Sequence, residues 1–166
     1  MIVIVEGIDR VGKTTLINKI VKELGFIKYE GIEKYDKINS KNFYLTQRIE
    51  TEKLFAATSV LKAIDKMKGN IIIDRFHVSE YVYGLCERGY FNSECFEVDD
   101  ILGSLNTTLI LVRPKDIKQS IKEHGKDLYR HSLLFENFCQ ETSIKHKIIC
   151  NYDNLDYAFN KVKEEM

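Results

Sequence analysis

Apolar residues along this chain fall into two rhythms. The first is unbroken runs: Ile2-Val3-Ile4-Val5, Ile71-Ile72-Ile73, Thr107 to Val112 and Lys147 to Cys150, with Phe26 to Tyr29 as a shorter candidate. Runs without polar alternation suit strands buried on both faces of a parallel sheet. The second rhythm is the helical one. Between Lys13 and Leu24 the apolar positions Leu16, Ile17, Ile20, Val21 and Leu24 recur with the 3.6-residue period, and Gly25 supplies a stop. Thr46 to Met67 repeats the pattern through Ile49, Leu54, Phe55, Leu61 and Ile64, with Lys68-Gly69 as the predicted C-cap. Shorter helical stretches are predicted around 79–86, 95–102, 116–123, 129–142 and 157–165, Pro114 halts the strand before it, and the polar 31–42 segment reads as a connection.

Strands alternating with helices predict an α/β fold, with right-handed crossovers and helices on both faces of a parallel sheet. Ligands of such sheets sit at the carboxyl ends of the strands. With 166 residues and no Pro- or Ser-rich linker, residues 1–166 are expected to form one domain. Charge narrows the partners: 25 basic residues face 25 acidic ones, so no positive field favours a nucleic acid polymer, and a small anion suits the chain better. No apolar run approaches the ~20 residues a membrane helix needs. The four cysteines, Cys86, Cys95, Cys139 and Cys150, form no C-x-x-C pair, and the chain opens directly into an apolar strand rather than a secretory leader. A reducing cytoplasm is the expected location.

The chemistry is concentrated in Gly7-Ile8-Asp9-Arg10-Val11-Gly12-Lys13-Thr14, which satisfies G-x-x-x-x-G-K-[ST] between a buried strand and an amphipathic helix. Its glycines let the backbone curl until several N–H groups point at phosphate oxygens. Lys13 is placed to reach the β- and γ-phosphates, and the Thr14 hydroxyl to coordinate Mg²⁺. Given average residue frequencies, a chance match in a chain of this length has a probability of about 1%. Asp74-Arg75 closes a central strand run. That position faces the phosphate loop, where the aspartate can hold Mg²⁺ through water and the arginine can grip a second phosphate.

Glu6 to Thr15, reading E-G-I-D-R-V-G-K-T-T, and Asp74 to Gly84, reading D-R-F-H-V-S-E-Y-V-Y-G, together resemble the thymidylate kinase family of nucleoside monophosphate kinases. The resemblance implies a three-layer α/β/α P-loop fold with a five-stranded parallel sheet in the order 2-3-1-4-5. It also implies transfer of the ATP γ-phosphate to a deoxynucleoside monophosphate, dTMP giving dTDP above all. By the same resemblance, ATP is held by Gly7 to Thr15 with Arg130 in support, and Arg10 reaches the γ-phosphate from within the loop. The acceptor lies against Asp9, Arg75, Ser79 and Tyr83, with Arg48 reading the base and Tyr129 at the edge of a lid around 122–130. Thr14 and Asp74 take the metal. A homodimer is implied as well, with the apolar faces of 46–67 and 79–86 as candidates. Two departures stand out: Leu128 replaces a lid arginine, and Lys28-Tyr29-Glu30-Gly31-Ile32 stands where the family has a phosphate-binding arginine, leaving Lys28 or Lys34 to substitute.

A related reading is a deoxynucleoside kinase, with Gln47 on the base, Ser79-Glu80 after the central strand, and Asp74 as the base that takes the 5′-hydroxyl proton. A nucleotide-driven switch is the reading from another class, but the N-K-x-D tetrapeptide that reads guanine does not occur.

Overall fold

A computed structural model describes residues 1–29, 43–114, 116–124, 128–150 and 155–165. The first apolar run is β1, Ile2–Glu6, buried at every position. After it come α1 (Lys13–Leu24), β2 (Ile27–Tyr29), α2 (Phe43–Lys66) and β3 (Ile71–Asp74). Next is α3 (His77–Tyr83), which runs into a π-helical turn at Gly84–Arg88, then α4 (Glu94–Gly103) and β4 (Thr107–Arg113). The rest is α5 (Ile117–His124), α6 (Leu128–Glu141), β5 (Lys145–Cys150) and α7 (Leu155–Lys163).

The five strands form one sheet in the order β2-β3-β1-β4-β5, and every pairing is parallel. This is the order and architecture the resemblance implied. β1 is the middle strand, with Val5 opposite Asp74 on one side and Glu6 opposite Leu111 on the other. Residues 2–5 of β1 have no exposed surface, which requires helices on both faces. α1 packs with α7, and α3 packs with α4 and α6. Leu16, Ile17 and Ile20 of α1, Val78 and Val82 of α3, and Phe135 and Phe138 of α6 join the strands in one core. Burial on this scale, at about 25 cal/mol per Å² of apolar surface, is the main term holding the layers together. Among the described residues no helix is long and apolar enough to cross a membrane.

Two boundaries depart from the sequence expectation. α2 begins at Phe43 rather than Thr46, and its first residues, Phe43, Tyr44 and Leu45, are exposed. β5 begins at Lys145, two residues early. The predicted C-cap at Lys68-Gly69 forms, with Lys68 as its left-handed residue at φ 56°. The Gly69 N–H bonds to Ile64 O at 3.0 Å and the Lys68 N–H to Asp65 O at 2.9 Å, the paired bonds of a Schellman cap. Gly69 is required for space instead, since a Cβ there would stand 2.9 Å from Ile64 Cγ2.

Candidate active site

The phosphate loop is held by its neighbour strand. Gly7 has φ 133°, and a Cβ on it would lie 2.0 Å from the Val112 carbonyl oxygen of β4. Only glycine turns the chain at that point. Gly12, φ 82°, turns it again into α1, and its carbonyl accepts the first helical bond, from Leu16 N at 3.1 Å. Arg10 between them is exposed and left-handed at φ 62°, a conformation L side chains seldom adopt. Lys13 lies buried in the curl and its Nζ donates to the Ile8 carbonyl at 2.6 Å. Burial and the neighbouring Arg75 charge bring its pKa down to about 8. Thr14 and Thr15 are exposed on the first turn of α1, which carries no acidic residue, so the positive end of the helix dipole faces outward.

Across the crevice β3 delivers Asp74 and Arg75. Thr14 Oγ1 lies 3.4 Å from Asp74 Oδ2. A hydroxyl and a carboxylate side by side at a phosphate loop suit Mg²⁺, which takes one or two protein oxygens and completes its shell with phosphates and water. No cluster of three or more His, Cys, Asp or Glu able to hold a metal occurs among the described residues. Arg75 is fixed on every side. Its backbone N–H bonds to Val5 O at 3.0 Å with φ 71°, Nη2 donates to Asp9 Oδ1 at 2.6 Å, and Nη1 donates to Ser79 Oγ at 3.2 Å. Its Cζ sits 5.1 Å from the centre of the Tyr83 ring, within range of a cation–π contact. Burial opposes the charge on Arg75, but Tyr83, Glu6 and Asp9 outweigh it and raise the pKa. Tyr83 is pushed up to about 12, chiefly by burial.

The structure therefore brings together Gly7, Gly12, Lys13, Thr14 and Asp74 on one side, and Asp9, Arg75, Ser79 and Tyr83 on the other. It does not bring in Arg48. That guanidinium is 81% exposed and lies 4.0 Å from Glu52, its neighbour one turn along α2. Tyr129 stands apart from the Arg75 cluster too: it lines a groove of about 320 Å³ with Arg113, Pro114, Ile117, Ser132 and Glu136 at the end of β4. Arg130 is exposed on α6. Residues 125–127 of the expected lid, and Lys34, lie outside the described residues, while Lys28 is on the edge strand β2, opposite Ile72. A hollow of about 740 Å³, bordered by Met1, Leu24, Phe26, Asp65 and Asn106, lies at the opposite, amino end of the strands.

Glu6, at the head of the E-G-I-D-R-V-G-K-T-T motif, is not among the sequence-predicted site residues. Its side chain is completely buried and accepts three hydrogen bonds, from Phe76 N (2.7 Å) and Ser79 N (3.2 Å) on Oε1 and from Ser79 Oγ (2.5 Å) on Oε2. A glutamate closing an otherwise apolar strand run was the one available signal.

The fold is shared with solved nucleoside and nucleotide kinases. YorR protein from Bacillus subtilis, solved in complex with phosphorylated GDP, superposes with a TM-score of 0.72 at 21% identity, over 99% of this chain and 94% of that one. Thymidylate kinase from Ehrlichia chaffeensis gives 0.67 at 17% identity, over 99% and 97%. Deoxyadenosine kinase from M. mycoides, with bound dCTP, gives 0.57 at 14% identity, over 99% and 98%. No protein-family model and no curated protein matches the chain. At these identities the likeness is one of fold, and the resemblance to thymidylate kinase read from two motifs extends over the whole architecture.

Proposed function

We propose that the chain is a nucleoside monophosphate kinase that transfers the γ-phosphate of ATP to a deoxynucleoside monophosphate, dTMP giving dTDP. The observation that carries the reading is the 2.6 Å bond between Arg75 and Asp9, which sets a half-buried guanidinium against the rim of the phosphate loop. Phosphoryl transfer requires two anions in line with cations offsetting their repulsion, and needs no covalent nucleophile. In this reading the amides of residues 7–15 and the Lys13 ammonium hold the triphosphate of the donor. Arg10 reaches the γ-phosphate, Arg75 holds the acceptor phosphate, and Asp9 orients Arg75 and meets the acceptor sugar. Mg²⁺ held by Thr14 and Asp74 would neutralise charge building up between the β- and γ-phosphates. Arg130 is assigned to the donor side, and Ser79 and Tyr83 to the wall of the acceptor site.

The alternative, a deoxynucleoside kinase, gains from the fold it shares with deoxyadenosine kinase and from Gln47, whose Nε2 already bonds to Phe91 O at 3.0 Å. It asks Asp74 to act as a free base, whereas Asp74 faces Thr14. It also gives Arg75, already paired with Asp9, no substrate phosphate to hold. Offering purified protein thymidine and the full set of nucleoside monophosphates with Mg-ATP, and following ADP release, decides between them. Consumption of ATP with thymidine but no monophosphate would reverse the choice. If the enzyme is a homodimer, the 79–86 stretch is an unsuitable face, because α4 and α6 of the same chain cover it. The exposed Val60 and Met67 side of α2 is the face to test by crosslinking.

A further inference from the structure

We infer that Glu6 is a positioning residue for acceptor binding, acting through Ser79 on Arg75; this rests on the proposed acceptor role of Arg75. Two observations carry it. First, α3 has no side-chain cap of its own: Phe76 occupies the N-cap position, and the cap is supplied from β1, where Glu6 Oε1 takes the N–H groups of Phe76 and Ser79. Second, the Ser79 hydroxyl has its polarity set. A guanidinium only donates, so the Ser79 lone pairs face Arg75 Nη1 at 3.2 Å and the serine proton points to Glu6 Oε2, 2.5 Å away. One buried carboxylate thus fixes the corner that carries Arg75 and orients the hydroxyl that holds its guanidinium.

Glu6→Gln tests the polarity argument, because the amide keeps the volume and one accepting oxygen. Its Nε2 would donate to Ser79 Oγ from the side where an acceptor now stands, leaving the serine proton either against Arg75, itself a donor, or unpaired. The expected result is a roughly tenfold to hundredfold rise in acceptor KM, with ATP KM changing by less than about threefold. Ser79→Ala, which keeps both backbone bonds to Glu6, should give a similar split and remains informative should Glu6→Gln fold poorly. In an Arg75→Ala background neither change should weaken acceptor binding further by calorimetry. Equal losses for ATP and acceptor, or additive losses in that background, would overturn the inference. Restricted rotation of the Arg75 guanidinium, measured by nitrogen NMR, should be seen in the unaltered protein and released in Glu6→Gln and Ser79→Ala. This reads the brace directly, so its failure is distinct from absence of kinase activity, and free rotation in the unaltered protein would also overturn the inference.

Discussion

The two flanks of the crevice are built differently from the surface that adjoins them. Arg75 is held from several elements: Val5 takes its N–H, Asp9 and Ser79 its guanidinium, with Glu6 behind Ser79 and the Tyr83 ring alongside. Arg48 is a cation with the same chemistry, set on a long helix with 81% of its side chain in water. An arginine ordered before its ligand arrives loses little freedom on binding, whereas a solvated one must give up both rotamer entropy and hydration. The contrast ranks the candidate residues more sharply than their residue types do.

The largest expected break comes from Lys13→Ala, which should lower single-turnover phosphoryl transfer by about 10³-fold, in line with loss of a group aimed at developing charge. Gly7→Ala should follow, costing about 3 kcal/mol or more in urea unfolding, because the added methyl meets Val112 O at 2.0 Å and φ is 133°. An unchanged midpoint would mean the loop relaxes away from β4. Arg75→Ala should reduce kcat/KM for the acceptor by about 10²-fold while ATP binding stays within about threefold; equal loss of both would dissolve the division into two sites.

A smaller effect comes from pH. Lys13 titrates near 8 in the folded chain, and a bound triphosphate favours its charged form. ATP affinity should therefore be flat below pH 8 and fall about tenfold by pH 9, with proton uptake on binding detectable by calorimetry in two buffers. The same group moves stability the other way. Between pH 8 and 10.5 the unfolded chain binds more protons than the folded one, so this lysine's contribution rises with pH. Smallest of all, Arg48→Ala should change acceptor KM by less than about twofold, and a tenfold rise would restore it to the base site.

The sheet was legible because its strands are buried on both faces and carry no polar alternation, and the phosphate loop because glycine, lysine and threonine at fixed spacing admit few other structures. The strand order came from the family resemblance. The exposure of Arg48 was not legible, because helical periodicity shows that a residue lies on a helix without showing what covers it. The start of α2 was missed because Phe43, Tyr44 and Leu45 face outward and add nothing to the core-facing period. Glu6 went unread because its partners lie about 70 residues away, at Phe76 and Ser79, and no local pattern records such a contact.

β1 lies in the middle of the sheet, between partners that begin about 70 and about 105 residues later in the chain. A fragment ending before β4 lacks the Val112 carbonyl against which Gly7 turns, so the proposed nucleotide seat would form only once β4 is present. A ligand that engages this seam should distinguish native from denatured molecules almost absolutely. At a hundredfold excess over Kd it would add about 2.7 kcal/mol to the unfolding free energy, which makes a thermal melt in the presence of each candidate nucleotide a direct assay of what the seam recognises.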